Sequence, residues 1–522
     1  MKKRIFPILL LAAALCAVPA FAFDSPAPAQ QEAAAAWEAL QPQAGPVYVS
    51  EPWTQGPWRI GQVEPEYLDA GLQYVNFVRA LAGLEPVTLS EHLSIQAQYG
   101  AVLLAANDEL THTPAKPAAM GDSFYRMGRQ AAERSNLSLR YGYPWETLLQ
   151  SAVQGHLDEK GEGNRRTLGH RRWLLDPRLG AVGFGLASSA SGKQYIVLPV
   201  SDRSGTGETP AAVTWPGSGD FPNQVFSPET PFSVSLDPGQ LTLPAEAELT
   251  ATLTRWRDGA VFSVTGGTLP ETLEGNAPYL LVNDPGYGLG TCVSFFFGTE
   301  AAGERWLGDY TVSLSGLRTR AGEPYELEYT VRFFDCTALS QPSAWAWESV
   351  AAAEESGLLP WALTDQYQLP LTRLEFCRLV MTLWRQAGGA EPETAEAPVF
   401  SDCDDPDVTA AAALGIVSGD GDGHFVPGRA LRRQEAAVML QRTARALGQA
   451  EPGSTLLPAY RDESAIQPYA REAVLWAASV TAPDSGSPVM AGVGYGRFDP
   501  MGSYTREQAL VTVLRLYRAL DA

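Results

Sequence analysis

Three segments of the sequence each place an arginine just after a position suited to starting a helix. The segments are 371–376, 431–436 and 504–509, and their arginines are Arg373, Arg433 and Arg506. Thr372 and Glu375 have the spacing of a capping box, and Thr505 with Gln508 repeats it. A cation in the first helical turn opposes the helix dipole, at a cost of roughly a few tenths of a kcal/mol. The arginines are therefore expected to serve more than their own helices, and beside free backbone N–H donors they suit a carboxylate ligand.

The second and third arginine segments each follow a glycine-rich turn and, further upstream, an aspartate. The turns are 421–427 and 494–500, and the aspartates are Asp402 and Asp462. The first of these turns begins like a calcium-binding loop, but its twelfth position is Leu431 instead of the glutamate that such a loop requires. We therefore interpret it as a tight glycine turn.

Together these features resemble surface-layer homology (SLH) repeats, which we place at 342–387, 398–447 and 458–522. The second copy is the most complete, whereas the first lacks the glycine turn and the third carries extra residues before its glycines. The resemblance implies an all-α domain with pseudo-threefold symmetry and grooves between the copies. It also implies the ligand, a pyruvylated secondary cell-wall polysaccharide, bound through the residues Arg373, Arg433, Arg506, Asp402 and Asp462. Ordinary helix caps with solvated or ion-paired arginines are the structural alternative.

A second resemblance lies in the N-terminal half of the chain. It is carried by 110–114, 132–137, 168–177 with its Gly-His-Arg-Arg-Trp run, and 180–185. These segments are similar to the CAP superfamily of SCP-like extracellular domains, whose central cleft holds two histidines and two acidic groups. By this resemblance His112 and His170 are the histidines, Glu133 is the first acid and Asp158 is the second. Glu162 is a rival for the second acid.

Two imidazoles beside carboxylates could perform two kinds of chemistry. They could bind a divalent metal, with zinc favoured and a coordination position left open, which makes His112 and His170 candidate ligands. They could instead shuttle protons. A polar cluster that only fixes loops is the third interpretation. Nucleophilic catalysis has little support, because the sequence contains no Gly-x-Ser-x-Gly elbow and its mature cysteines lie outside this region.

Other conspicuous side chains receive simpler interpretations. We expect His92 and His156 to lie on the surface or on a helix face. The basic run of Arg165, Arg166, Arg171 and Arg172 is expected to form ion pairs within an acidic protein. Cys292 with Cys336, and Cys377 with Cys403, could form disulfides in an exported protein, with buried free thiols as the equal alternative. Because none of them sits in a Cys-x-x-Cys pair, a structural zinc is not expected.

The N-terminus is typical of an export signal. Lys2, Lys3 and Arg4 precede a short apolar run, and the Ala20–Ala22 tripeptide suits cleavage before Phe23. The run of about 14 apolar residues is too short to span a bilayer. We therefore predict a signal peptide at 1–22, a flexible leader at 23–59 and no membrane span after cleavage.

Composition and patterning predict a multidomain α+β protein. An α-β-α sandwich, the CAP domain, is expected at 60–203, and an Ig-like β-sandwich at 211–336, where alternating strands are separated by Gly, Pro and Asp. The net charge of −21 over 522 residues argues against nucleic acid as a partner. It also means that binding to an acidic wall polymer needs local cationic groups.

These predictions combine into a secreted protein of the bacterial cell wall or S-layer. Its SLH repeats would anchor it non-covalently to secondary cell-wall polysaccharide, and its CAP domain would bind an unknown ligand. Two alternatives remain open at this point. One is a metal-assisted hydrolase that acts through the CAP cleft, and the other is a structural component of the envelope layer. The sequence leaves open whether the protein is an enzyme.

Overall fold

The computed structural model describes residues 21–22, 30–40, 45–243, 245–283, 286–337, 340–393, 399–449 and 460–520. Residue contacts divide the chain into unit 1, Met1–Phe334, and unit 2, Asp335–Ala522. Apart from its last two residues, the predicted signal peptide lies outside the described part. No helix within the described ranges is long and apolar enough to cross a membrane.

The first part of unit 1, which we call the α/β region (residues 48–199), carries most of its helices. With the segments that precede it, the elements are β1 (Phe21–Ala22), α1 (Gln30–Ala39), β2 (Tyr48–Ser50), β3 (Gln62–Val63), α2 (Pro65–Leu81), β4 (Thr88–Leu89), α3 (Glu91–Asn107), α4 (Asp122–Glu133), β5 (Ser135–Tyr141), α5 (Leu148–Asp158), α6 (Glu162–Thr167), α7 (Gly169–Leu174), β6 (Ala181–Val182), β7 (Gly185–Ser188) and β8 (Lys193–Pro199). Ser90 caps α3, since its side chain accepts a hydrogen bond from the Leu93 N–H.

Helices cover both faces of the central sheet of the α/β region. This antiparallel sheet has the order β5-β8-β7. Leu137 of β5 packs in one apolar cluster with Ala101 of α3, whereas its neighbour Ser138 hydrogen-bonds to His156 of α5. Successive strand residues point to opposite faces. The sheet therefore lies between α3 on one side and α5 on the other, which explains why nearly every residue of β8 is buried.

The rest of unit 1, residues 212–334, forms what we call the β-domain. Its strands are β9 (Ala212–Trp215), β10 (Gly219–Pro222), β11 (Phe232–Leu236), β12 (Leu241–Thr242), β13 (Thr250–Arg255), β14 (Ala260–Thr265), β15 (Tyr279–Asn283), β16 (Cys292–Phe296), β17 (Gly308–Thr319) and β18 (Pro324–Phe334). One sheet has the order β15-β16-β11-β9, and β17 and β18 belong to a larger one. Trp306 joins them, because its ring lies 5.3 Å from that of Phe232 on β11 and 5.2 Å from that of Phe333 on β18. The Ig-like classification stays a prediction.

Buried arginines attach the α/β region to the β-domain. Arg171 donates from Nη1 to the carbonyl of Pro231 at 2.8 Å and to Oγ of Ser233 at 2.9 Å. Arg165 donates from Nη2 to the Glu229 carbonyl at 3.0 Å. The predicted ion pairs are therefore wrong for these two arginines: their guanidinium groups satisfy backbone carbonyls across the boundary between the two predicted domains. Arg166 does form the expected ion pair, with Glu162 at 2.6 Å.

Unit 2 is helical, and its predicted repeated segments meet in a closed ring. The helices are α8 (Trp347–Glu355), α9 (Arg373–Gln386), α10 (Pro406–Ala413), α11 (Arg433–Ala446), α12 (Arg471–Ser479) and α13 (Arg506–Leu520). The Leu371 N–H donates to the Tyr504 carbonyl at 2.9 Å, the Tyr504 N–H to Leu431 at 3.2 Å, and the Leu431 N–H to Leu371 at 3.1 Å. Each of the three segments thus contacts both others in the same way. That all three are SLH repeats stays a prediction.

The first segment keeps the backbone form of the glycine turn although its sequence lacks the motif. Gln366, Val426 and Asp499 all have left-handed backbone, with φ of 55°, 59° and 57°. The residue after each accepts a hydrogen bond from the start of the preceding helix in the ring. For the first segment, that bond runs from the Glu507 N–H to the Tyr367 carbonyl at 2.9 Å.

Among the described residues, no two cysteines are joined by a disulfide. Cys292, Cys336 and Cys377 are buried, and Cys403 is partly buried. Burial raises the pKa of the Cys336 and Cys377 thiols well above its usual range. Of the two alternatives drawn from the sequence, the structure therefore has the thiols that form no disulfide.

Candidate functional site

A cavity of about 600 Å³ lies in unit 1 where the α/β region meets the β-domain. The side chains that matter for its chemistry are His112, Glu133, Asn136, His170, Trp173 and Tyr287. Three of the four residues predicted for the cleft, the two histidines and Glu133, therefore line one cavity. Tyr287 comes from the β-domain, to which the sequence had assigned no part in the site.

Hydrogen bonds fix which nitrogen of His112 carries a proton. Its Nδ1 lies 2.7 Å from the carbonyl oxygen of Ala132, the residue before Glu133. Because a carbonyl can only accept, Nδ1 must be the protonated nitrogen. A neutral His112 ring therefore keeps the lone pair on Nε2. Glu133 itself is paired with Arg129, whose Nε lies 2.8 Å from its carboxylate one helical turn earlier.

The acidic partner of His170 is Glu159. Its carboxylate is fully buried and lies 2.9 Å from Nδ1 of His170. It also accepts the backbone N–H of Arg171 at 2.9 Å. Burial lowers the pKa of His170, but the hydrogen bond and the charge of Glu159 raise it more, so the pKa lies above its usual value.

The two acids proposed from the sequence for this position have other partners. Asp158 accepts hydrogen bonds from Gln154 Nε2 at 2.8 Å and from Thr230 Oγ1 at 3.2 Å, and burial raises the pKa of Asp158. Glu162 accepts the backbone N–H of Leu273 at 2.7 Å. Asp158 as the second cleft acid is thus corrected to Glu159. The sequence offered three acids within five positions, and only the left-handed turn that ends α5 at Glu159 decides among them.

His156, predicted to be a surface or helix-face residue, is buried beside the cavity. Its ring stacks on that of His170, with centroids 5.0 Å apart and planes 13° from parallel. Burial, with the charge of His170 acting in the same direction, holds the pKa of His156 well below its usual value. His156 therefore stacks against the His170 ring as a neutral imidazole. Of the two alternatives predicted for it, the helix position is correct and the surface position is wrong.

The residues at the cavity do not form a complete metal cage. In the part of the chain that the structure describes, no three His, Cys, Asp or Glu side chains are grouped so as to hold a metal ion. Nδ1 of both histidines is already hydrogen-bonded, which leaves one nitrogen on each ring. The zinc ion therefore stays a prediction from the sequence.

A second site candidate is a groove of about 220 Å³ in unit 2. It is lined by Arg373, Arg429, Arg442, Glu435 and Tyr469, among others. Arg429 pairs with Glu435 at 3.0 Å, so one of the three cations is neutralised inside the groove. Burial, and after it the nearby Arg429, lowers the pKa of Arg373. The groove keeps an excess of positive charge in a chain whose net charge is −21.

The other two predicted arginines serve the fold. Arg433 is 5% exposed and donates to the carbonyls of Phe498 at 2.9 Å and Ala491 at 2.8 Å. Arg506 pairs with Glu375 at 2.5 Å and donates to the Asp365 carbonyl at 2.7 Å. Each thus fastens the turn of the next segment in the ring.

The two predicted aspartates also hold turns. Asp402 accepts the N–H groups of Phe425 and Val426 at 2.7 and 2.8 Å. Asp462 accepts those of Phe498 and Asp499 at 2.9 and 2.8 Å. Hydrogen bonds from the backbone hold the pKa of Asp402 below its usual range.

The helix-start N–H groups that the sequence suggested for a carboxylate are already used. The N–H groups of Arg373, Arg433 and Arg506 donate to the carbonyls of Arg429, Gly502 and Leu369 at 2.9, 3.1 and 3.1 Å. The expectation of free donors there is wrong, because ring closure supplies an acceptor for each helix start. A ligand in the groove would therefore meet side-chain cations.

Comparisons with known proteins find two domains. Residues 72–199 match the family model of the cysteine-rich secretory protein family, CAP. Residues 403–437 match the model of the S-layer homology domain, SLH. A search of curated proteins found no significant match. The chain thus contains a CAP domain, which includes His112, Glu133, Glu159 and His170, and an SLH domain, which indicates association with the cell surface or an S-layer.

Proposed function

We propose that this is a secreted cell-surface protein that unit 2 holds on secondary cell-wall polysaccharide. Unit 1 would display the CAP cavity outside the cell, where the cavity binds a ligand. The observation that carries the proposal is the SLH match together with a groove that concentrates arginines in an acidic chain.

The groove suits an anionic saccharide. Among the described lining residues of the groove, Glu435 is the one carboxylate, and both of its oxygens accept hydrogen bonds from Arg429. Arg373 and Arg442 therefore have no bidentate carboxylate partner in this lining. Guanidinium groups bind carboxylates through paired hydrogen bonds. A pyruvate ketal presents such a carboxylate on a sugar, and Tyr469, which is 60% exposed, offers an aromatic edge beside it.

We assign polysaccharide binding mainly to the groove that Arg373 lines. All three arginines donate to backbone carbonyls, Arg373 to that of Ser418, but Arg433 and Arg506 are largely withdrawn from solvent whereas Arg373 lines the groove. The contribution of Arg433 and Arg506 is therefore to the shape of unit 2. This differs from the sequence-based expectation, which assigned binding to all three arginines and took the second copy, with Arg433, as the best-preserved candidate.

The test is co-sedimentation of the full-length chain with purified cell walls. We expect Arg373→Ala and Arg442→Ala to leave more protein in the supernatant than the matched control Arg518→Ala, whose side chain pairs with Asp484 outside the groove. Walls stripped of secondary polymer should no longer sediment the wild-type chain. Equal sedimentation with stripped walls would contradict the proposed anchor.

A further inference from the structure

A loop of the β-domain forms one wall of the CAP cavity. The Tyr287 carbonyl accepts a hydrogen bond from Nη2 of Arg172 at 3.0 Å, and the Gly288 carbonyl accepts one from Nη2 of Arg178 at 2.7 Å. The Arg172 guanidinium also lies over the Tyr287 ring, 5.5 Å from its centroid. Two arginines from the α/β region therefore hold this loop in place.

Two glycines make the close approach of the loop possible. A Cβ on Gly169, at the start of α7, would lie 2.9 Å from two ring carbons of Tyr287. A Cβ on Gly288 would lie 2.2 Å from the Arg172 carbonyl oxygen, and Gly288 has φ of +54°. The ring of Tyr287 thus packs directly against the helix that carries His170. The absence of a Cβ at the two glycines leaves the space for this contact.

The cavity lining combines aromatic rings with hydrogen-bonding groups, both neutral ones and the charged Glu133 and Arg134. Tyr287 and Trp173 meet edge to face, with centroids 6.3 Å apart and planes 68° from parallel. Asn136 and Ser201 supply amide and hydroxyl groups. Among the described lining residues, Val200 is the one aliphatic side chain. An alkyl chain or a sterol would leave the polar groups of this lining without hydrogen-bond partners, which is unfavourable.

Ser135 supplies an independent sign of a ligand. It lines the cavity and is 5% exposed, yet its Oγ has no hydrogen-bond partner among the residues that the structure describes. Buried hydroxyls are nearly always paired, because leaving one unpaired costs about 1–3 kcal/mol. Because the oxygen itself has almost no accessible surface, the side chain would have to rotate toward the cavity for a polar group of a bound molecule to satisfy it.

We propose that this composite cavity binds the sugar rings of a glycan, with Tyr287 as a specificity-determining residue contributed by the β-domain. The apolar C–H face of a pyranose packs on the electron-rich face of an aromatic ring. Its hydroxyl or acetamido groups would pair with Ser135 and Asn136. The inference rests on the proposed function, since it names the ligand class of the displayed cavity, and it makes the β-domain part of the binding site rather than a spacer.

The test is calorimetric titration of the full-length chain with chitotetraose, cellotetraose and a peptidoglycan disaccharide. We expect at least one to bind with a Kd below about 1 mM. Tyr287→Ala should weaken that binding at least about tenfold, whereas Tyr287→Phe stays within about threefold, because the ring supplies the contact. Tyr141→Ala, a similar change at an exposed tyrosine, serves as the matched control.

Ser135→Ala separates ligand binding from folding. Because its hydroxyl has no protein partner, we expect an unchanged melting temperature with binding weakened about fivefold. The inference is overturned if none of the three saccharides binds, or if Tyr287→Ala binds them as tightly as the wild type. If fluorescent palmitate binds the cavity and the saccharides do not, the proposed function survives and this inference fails. Tyr287→Ala should leave sedimentation with cell walls unchanged. A failure of this inference can therefore be distinguished from a failure of the proposed anchor.

Discussion

The buried carboxylate of Glu159 lies 2.9 Å from Nδ1 of His170 and holds that ring in one orientation. Since the carboxylate accepts, Nδ1 carries the proton, and Nε2 is the nitrogen left for chemistry or for a ligand. The stacked ring of His156 on the other side limits rotation further. The pair therefore presents a histidine with a defined tautomer at the cavity.

Glu159→Gln should reverse the direction of the His170 pKa shift. In the wild type the carboxylate overcomes the effect of burial, so the pKa lies above 6.5. Without the charge, burial acts almost alone and should bring the pKa below 6.5. NMR titration of the His170 ring protons measures both values. Because the folded pKa is raised, its contribution to stability is complete below pH 6.5 and is lost as the pH rises through the folded value.

The matched control for that change is Asp158→Asn, one residue earlier. Asp158 hydrogen-bonds to Gln154 and Thr230, so its neutralisation should leave the pKa of His170 raised. If both variants lower the pKa equally, the assignment of Glu159 as the partner is wrong.

The sequence predicts the site residues that lie in local motifs, but not those that contacts between distant segments of the chain bring to the cavity. His112, Glu133 and His170 sit in motifs, and a motif identifies them without a structure. Glu159 was missed because the choice among neighbouring acids depends on where α5 ends and how the chain turns there. Tyr287 lies more than a hundred residues from the motifs. It reaches the cavity because the β-domain packs against the α/β region, and no local sequence pattern predicts that packing.

Arg433→Ala should destabilise unit 2 more than Arg373→Ala does. The first removes a buried guanidinium and leaves the Phe498 carbonyl without its donor, at a cost of about 3 kcal/mol. The second removes one bond, to the Ser418 carbonyl, from a half-buried side chain at the groove, for which about 1 kcal/mol is expected because water can replace the donor. Urea unfolding followed by hydrogen exchange in unit 2 measures the difference. Arg433→Lys should not restore stability, because an ammonium group cannot reproduce the two-carbonyl geometry.

In the wall-sedimentation assay the two variants should fall in the opposite order, with Arg373→Ala losing more wall binding than Arg433→Ala. At a temperature where both variants remain folded, Arg373→Ala should sediment less with walls than Arg433→Ala. A folded Arg433→Ala that loses wall binding as completely would show that the helix-start arginines act on the ligand, as the sequence suggested.

Asp402→Asn should lower the melting temperature of unit 2 at neutral pH. An amide can accept one of the two backbone N–H bonds but not both. The pKa of Asp402 is lowered in the folded state, so its contribution is present above pH 3.8 and is lost as the pH falls through the folded value. The difference between wild type and variant should therefore shrink below pH 3.8 in calorimetry. Asp404→Asn, at an exposed neighbour, should show neither effect.

Much of the local structure of unit 2 follows from its sequence. The capping box of Thr372 and Glu375 is present as predicted, and Thr505 with Gln508 repeats it. The turn at Gln366 could not be predicted, because nothing in its local sequence resembles the glycine turns. Its conformation follows from ring closure, which demands the same hydrogen bonds from all three segments.

We expect the chain to hold much less than one zinc ion per molecule after it is dialysed against zinc and then against zinc-free buffer. The described residues offer two imidazole nitrogens at the cavity without a third grouped ligand. Elemental analysis by mass spectrometry measures this on the full-length chain. One zinc per chain in the wild type, lost in both His112→Ala and His170→Ala, would instead support the metal-assisted hydrolase.

Gly169→Ala should displace Tyr287 and loosen the cavity wall. Replacing a helical glycine by alanine usually stabilises, by up to about 1 kcal/mol. Here the new Cβ would lie 2.9 Å from two carbons of the Tyr287 ring, so either the ring or the helix must move. We expect a lower melting temperature and faster hydrogen exchange in the loop that carries Tyr287. Gly163→Ala, in the neighbouring helix α6, is the matched control: its Cβ would meet nothing within 4 Å, so stability should be unchanged or raised. Equal behaviour of the two variants would mean that the loop is not seated on Gly169.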